Sequence, residues 1–145
     1  MSIQLRHAFF ALVAIAVVVG FGAGAQTVPD YAAIIAAPDR RDTDRDIDQR
    51  REPAKLLAFT GARPGMKVLD MGAGGGYSTE LMARAVAPNG TVYAQNAPNM
   101  SQKAKANFEG RMQSPAMKSV TPVFRPFDDP TPPEVRDLDL ITFFF

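Results

Sequence analysis

The sequence predicts an α/β fold built on a doubly wound, mostly parallel sheet. Three observations predict it. Short apolar or β-branched runs recur at Met66–Met71, Thr91–Gln95, Thr121–Arg125 and from Leu138 onward. Stretches with helical spacing of apolar residues separate the first three runs. A glycine cluster, Gly72, Gly74, Gly75 and Gly76, joins the first run to the helix after it. A strand–loop–helix–strand order of this kind closes as a right-handed parallel crossover.

The chain has 145 residues, enough for one domain with a modest core. Lys plus Arg number 16 and Asp plus Glu 15, so the near-neutral balance gives no reason to expect a nucleic-acid partner. There is no cysteine, which excludes disulfides and thiolate metal sites. There is one histidine, His7, and no tryptophan.

The N-terminal segment 1–25 reads as an export signal. Arg6 and His7 precede the uncharged run Ala8–Ala25, which ends in the small-x-small pattern Ala23-Gly24-Ala25. An uncleaved membrane anchor is the competing reading, because the run approaches spanning length. Small residues crowd its end and "QTVPD" follows without a basic flank, so cleavage after Ala25 is expected. The mature chain, Gln26–Phe145, would then be periplasmic or extracellular with no stable membrane anchor. It would contain neither histidine nor cysteine, so imidazole bases, thiol nucleophiles and His-ligated zinc are not expected in it.

Residues 26–52 form a charged segment. Within "DRRDTDRDIDQRRE", Asp39–Glu52, eleven of fourteen residues carry charge. The alternating Asp42, Asp44, Asp46 and Asp48 hint at a calcium loop, but Ile47 and Pro53 stand where such a loop needs glycine and a bidentate glutamate. No metal is expected, and the segment reads as a solvated, charge-laced stretch. Pro53 suits the first turn of a helix that Gly61 ends, with Leu56, Leu57 and Phe59 as its packing face.

From Tyr77, residues Tyr77, Leu81, Met82 and Ala85 fall at helical spacing until Pro88-Asn89-Gly90 breaks the run. Met100, Ala104, Phe108 and Met112 share one face of a further helix within Asn99–Met112. "LITFFF" is a continuous apolar run, as expected of a strand buried on both faces.

The glycine loop points to a ligand. One glycine would serve a tight turn, whereas four let a ligand lie against bare main chain at a strand's carboxyl end. The dinucleotide fingerprint G-x-G-x-x-G/A would end on Tyr77, too large for close helix–strand approach, and the Walker Gly-Lys-Ser/Thr is absent. What stands here is D-x-G-x-G-x-G: Asp70, Gly72, Gly74 and Gly76. An acid so close to the loop repels a pyrophosphate and suits a ligand that carries an ammonium group.

This pattern resembles motif I of the class I S-adenosylmethionine-dependent methyltransferases. Within "REPAKLLAFTGARPGMKVLDMGAGGGYSTELMARAVAPNGTVYAQN" it is similar to a group of exported predicted methyltransferases of bacteria. The resemblance spans roughly Asp39–Phe145 and is strongest over Arg51–Asn96. It implies a Rossmann-like fold in which residues 53–145 form the cofactor-binding half, incomplete at the C-terminus because the family continues beyond a strand like "LITFFF". It implies S-adenosyl-L-methionine as cofactor and methyl transfer to an acceptor, expected to be a small molecule. The alternative is an exported Rossmann-like binding protein without enzymatic activity. By position, Gly72, Ala73, Gly74 and Gly76 would run along the methionine part, and Asp70 would orient its amino group. Asn96 stands where the family places an acid on the ribose hydroxyls. Asp128, with Asp129 as second choice, stands where an aspartate approaches the adenine; a loop cap before Pro130 is the other reading of that pair. The resemblance names no catalytic residue here.

Overall fold

A computed structural model of the chain describes residues 27–144. The expected export segment, residues 1–25, lies outside the described residues. Among the described residues no helix is long and apolar enough to cross a membrane.

Three short helices come first: α1 (Tyr31–Ala36), α2 (Asp42–Arg51) and α3 (Pro53–Thr60). Helix α2 has one aliphatic residue, Ile47, and its helical state is supported electrostatically. Asp42 and Asp44 occupy its first turn, and Arg50 and Arg51 its last, complementing the helix dipole at both ends. Glu52 then adopts a left-handed conformation (φ 43°) that separates α2 from α3. Pro53 opens α3, and Gly61 closes it in the left-handed conformation, as the sequence indicates.

The sheet follows: β1 (Lys67–Met71), α4 (Tyr77–Val86), β2 (Thr91–Asn96), α5 (Gln102–Met112), a 3₁₀ turn at Pro115–Met117, β3 (Val120–Phe124) and β4 (Leu140–Phe143). The four strands are parallel, in the order β3-β2-β1-β4. This is the α/β architecture expected from the sequence. Strand order reverses between β1 and β4, so the crevice at the carboxyl end of β1 is the topological switch point.

Alternation along the strands builds the core. Val68 on β1 and Val92 and Ala94 on β2 face the same layer as Leu81, Met82, Ala85 and Val86 of α4. Leu57, Phe108 and Met117 complete that layer. The connection from β3 to β4, residues 125–139, contains turns only, and Pro132 and Val135 from it share a cavity with Tyr93, Thr121 and Val123 of the sheet.

Two expectations change here. Phe59 does not pack: it is 90% exposed, while Leu57 and Pro53 are buried and Leu56 packs against the core. "LITFFF" is not buried on both faces. Strand β4 lies at the sheet edge, Thr142 faces inward, and Ile141 and Phe143 are exposed on either side of it.

The larger correction concerns the charged segment, which is not a solvated appendage. Asp44 is 1% exposed and Arg40 4%. Arg111 of α5 forms a bidentate pair with Asp44 (2.6 and 2.8 Å) and also donates to Glu80 of α4 (2.6 Å). Arg84 of α4 bonds Glu80 (2.8 Å) and reaches Asp39 (3.0 Å). Arg40 grips Asp48 through both nitrogens (2.7 and 2.8 Å). The charges of residues 39–48 dock α2 onto α4 and α5, with their partners up to 67 residues away.

Two substitutions separate these roles. Arg111→Ala leaves Asp44 buried without its cation and Glu80 with Arg84 alone, and is expected to destabilise the fold by about 3–5 kcal/mol. Phe59→Ala is expected to change stability by less than about 0.5 kcal/mol. Urea denaturation of both variants checks the contrast; equal effects would refute the docking role.

Candidate functional site

The glycine loop, residues 72–76, leaves β1 and enters α4 at the switch point. Each part of it is held by the main chain or by a side chain. The Gly72 amide donates to Oε1 of Gln95 (2.9 Å), and the Ala73 amide to the Gln95 carbonyl (2.9 Å). The Gly74 amide donates to Oδ1 of Asn96 (2.8 Å), while Nδ2 of Asn96 donates back to the Gly74 carbonyl (3.3 Å). Nε of Arg111 donates to the Gly75 carbonyl (2.9 Å).

The glycines have distinct reasons. Gly76 is left-handed (φ 84°), and a Cβ there would come within 2.9 Å of the Arg111 side chain and 3.2 Å of Phe108. Gly76 therefore answers to packing. Gly74 is also left-handed (φ 56°), yet a Cβ on it would meet no protein atom closer than 3.8 Å. Its open side faces a cavity of about 310 Å³ bounded by Gly72–Gly75, Tyr77, Ser78, Phe144 and the α2 residues Ile47, Arg50 and Arg51.

Asp70 does not present its carboxylate to that cavity. It is fully buried beneath the loop. Its Oδ2 accepts from the hydroxyls of Ser78 (2.9 Å) and Thr79 (2.7 Å), and its Oδ1 from Thr142 (2.8 Å). Burial pushes its carboxyl above the ordinary range, against the opposing pull of the three hydroxyls. Asp70 thus ties β1 to β4 and to the first turn of α4.

Asn96 is also placed differently from the role its position implied. It is 3% exposed, and both ends of its amide are engaged by Gly74, so it clamps the loop instead of offering a hydroxyl partner. Asp128 lies exposed in the turn after β3 and does not line the cavity. Asp129 beside it pairs with Arg125. Gly72, Ala73 and Gly74 do line the cavity, and Gly76 supports them from below.

Tyr77 links the loop to α2. Its hydroxyl donates to Oδ1 of Asp48 (2.6 Å), and its ring lies 5.9 Å from the guanidinium carbons of both Arg40 and Arg51. Burial, reinforced by Asp48, raises the phenol well above its usual range. Burial pushes Asp48 up, but hydrogen bonds from Arg40 and Tyr77 and the charges of Arg40 and Arg45 outweigh it and hold the carboxyl low. The sequence reading missed Gln95, Arg111 and the Tyr77–Asp48 latch. Arg111 had one signal: it stands three residues after Phe108, on the buried face of α5.

A model of the protein-L-isoaspartate (D-aspartate) O-methyltransferase family matches residues 32–121. The chain belongs to this family. Among curated members, the protein-L-isoaspartate O-methyltransferase of Aeropyrum pernix is 43% identical over 56 residues, covering 38% of this chain and 22% of that protein. That of Methanothrix thermoacetophila is 44% identical over 57 residues, covering 39% and 27%. The matched stretch thus spans about a quarter of the length of these O-methyltransferase relatives. Two solved structures share the fold, each with a TM-score of 0.52. A SAM-dependent methyltransferase from Aquifex aeolicus is 24% identical, covering 72% of this chain and 57% of its own. A precorrin-6y C5,15-methyltransferase from Geobacter metallireducens is 17% identical, covering 62% and 45%.

Two measurements test how the loop is held. Asn96→Asp replaces the donor to the Gly74 carbonyl with a second acceptor, so it is expected to destabilise the protein by about 1–3 kcal/mol rather than to improve the site. A urea melt at neutral pH checks this, and an unchanged midpoint would remove Asn96 from the clamp. The Tyr77–Asp48 pair sets a pH window. The low Asp48 carboxyl contributes stability that is present above the ordinary 3.8 and is lost as pH falls through its folded value. The raised Tyr77 phenol is deprotonated first in the unfolded chain, so its contribution is lost as pH rises above the ordinary 10. Tyr31, raised by burial, adds to that alkaline limb. Tyr77→Phe is expected to flatten the alkaline limb in part, and a stability–pH profile identical to wild type would contradict the latch.

Proposed function

We propose that this chain binds S-adenosyl-L-methionine and serves methyl transfer from it to a carboxylate. The observation that carries this reading is the cavity over Gly72–Gly75, at the switch point of a methyltransferase-type sheet, in a chain of the isoaspartate O-methyltransferase family. The residues fit the amino-acid end of the cofactor. Three glycines, Gly72, Gly74 and Gly75, bound the cavity, and the space beside Gly74 is clear of protein. Gly72, Ala73 and Gly74 would hold the methionine part, with Tyr77 and Ser78 at the entry to α4. Asp70 would act from beneath by holding the loop in place.

When bound, the cofactor supplies a methyl group on a sulfonium, an already activated leaving group. The chain's residues then need to align and exclude water more than to move protons. The acceptor class comes from the relatives, whose names specify an isoaspartyl residue of a protein, in place of the small molecule expected from sequence. A carboxylate is already ionised at neutral pH and needs no general base. That agrees with a chain holding one histidine, His7, and no cysteine.

Calorimetric titration of S-adenosylhomocysteine into the full chain, with circular dichroism on the same sample, tests the binding. Wild type is expected to bind. Gly74→Val is expected to lose detectable binding while losing about 1–2 kcal/mol of stability from the left-handed backbone alone. A folded wild type that does not bind would sink the reading. Transfer of labelled methyl to an isoaspartyl peptide, as a base-labile ester, tests the acceptor.

A further inference from the structure

We infer that Arg50 and Arg51 form a carboxylate-binding site in the wall of the cavity over the glycine loop. The inference rests on the proposed function and deepens it. The arginines of the charged segment fall into two groups. Arg40 is spent on Asp48 and on the Ile35 carbonyl (2.8 Å), Arg45 on the carbonyls of Ile35 and Ala37 (both 3.0 Å), and Arg41 reaches the Asn107 carbonyl (3.4 Å). These dock α2. Arg50 and Arg51 instead line the cavity together with Gly72–Gly75.

Among the described residues neither has a carboxylate within ion-pair distance, although Asp46 stands one turn before Arg50. Two neighbouring acids are committed elsewhere: Asp48 to Arg40 and Tyr77, Glu52 to Lys55. Arg51 is also pre-oriented, because its guanidinium lies over the Tyr77 ring. Two arginines lining one cavity, with no carboxylate among the described residues in ion-pair distance, suit a planar, bidentate anion. Tyr77 and Ser78, in the first turn of α4, line the same space, so that helix's positive end adds to the attraction.

A carboxylate could arrive in two ways: on the methionine part of the cofactor, or on the methyl acceptor. The test uses the full chain and Arg50→Gln, Arg51→Gln and the double variant. Neither arginine makes an ion pair among the described residues, so melting should stay near wild type; if Arg51→Gln is poorly folded because it loses its stack on Tyr77, exposed Arg50 carries the test alone. The ligands are S-adenosylhomocysteine, its decarboxylated analogue S-adenosyl-3-thiopropylamine, and an isoaspartyl peptide.

The double variant is expected to bind S-adenosylhomocysteine about tenfold more weakly while binding the decarboxylated analogue as wild type does. That result places the cofactor's carboxylate on the arginines. If both nucleosides bind all proteins alike but the peptide's KM rises about tenfold in the double variant, the carboxylate is the acceptor's and the site stands. If S-adenosylhomocysteine binds and neither quantity moves, the site is overturned and the proposed function survives. If folded wild type binds no S-adenosylhomocysteine, both fall.

Discussion

Arg111 is the constraint on which the rest depends. One guanidinium, on a residue 5% exposed, ties its helix α5 to three other parts of the chain: Asp44 of α2, Glu80 of α4 and the Gly75 carbonyl of the loop. A cation buried this deeply is tolerated only when its donors are used. Burial pushes its proton affinity down, and the hydrogen bonds and charges of Asp44 and Glu80 more than reverse that. Replacing such a cluster by apolar groups can be neutral or stabilising in other proteins, so stability alone does not explain it. What it supplies here is register. A bidentate contact to Asp44 fixes where α2 crosses the loop, and the Nε contact to Gly75 fixes the loop relative to the same group.

That register explains why the loop is held at nearly every residue. Gln95 and Asn96 end β2 with their side chains turned onto Gly72 and Gly74, and Asp70 is the penultimate residue of β1. The parallel register sets Asp70 beside Ala94 on one side and Thr142 on the other, which brings the Thr142 hydroxyl within 2.8 Å of the acid. Loop, strand ends and α2 therefore form one preorganised wall. A ligand meeting it has little ordering left to impose, which is how a modest cavity gains affinity.

The sheet and its crossovers were legible in the sequence because they depend on local pattern. Val68 between Lys67 and Leu69, the breaker Pro88-Asn89-Gly90 and the spacing around Leu81 and Phe108 each act within one element. The charged segment was illegible for the opposite reason. Asp44 and Arg111 are 67 residues apart, and nothing in "DRRDTDRDIDQRRE" says which acids will be buried. Phe59 misled because apolar character predicts burial only when a neighbouring element covers that face, and none of the described elements covers it. Asn96 misled differently. Its position matched a ribose-binding acid, but an amide has both a donor and an acceptor, and a peptide unit satisfies both at once.

That last point bears on the acid at the end of β1. A carboxylate placed two residues before a glycine loop invites the inference that it touches the ligand. Here three hydroxyls occupy it, two of them from residues 78 and 79 in the first turn of α4. A negative charge at that turn is favoured by the helix dipole, while burial disfavours the same charge. The balance makes Asp70 a fastener between strand and helix whose strength depends on its staying ionised. The bare glycines above it are then free to serve the cavity, since the position of the loop is set from below by Asp70, from the side by Gln95 and Asn96, and at its far end by Arg111. The acid and the glycines thus belong to one device, but they act on opposite sides of the main chain.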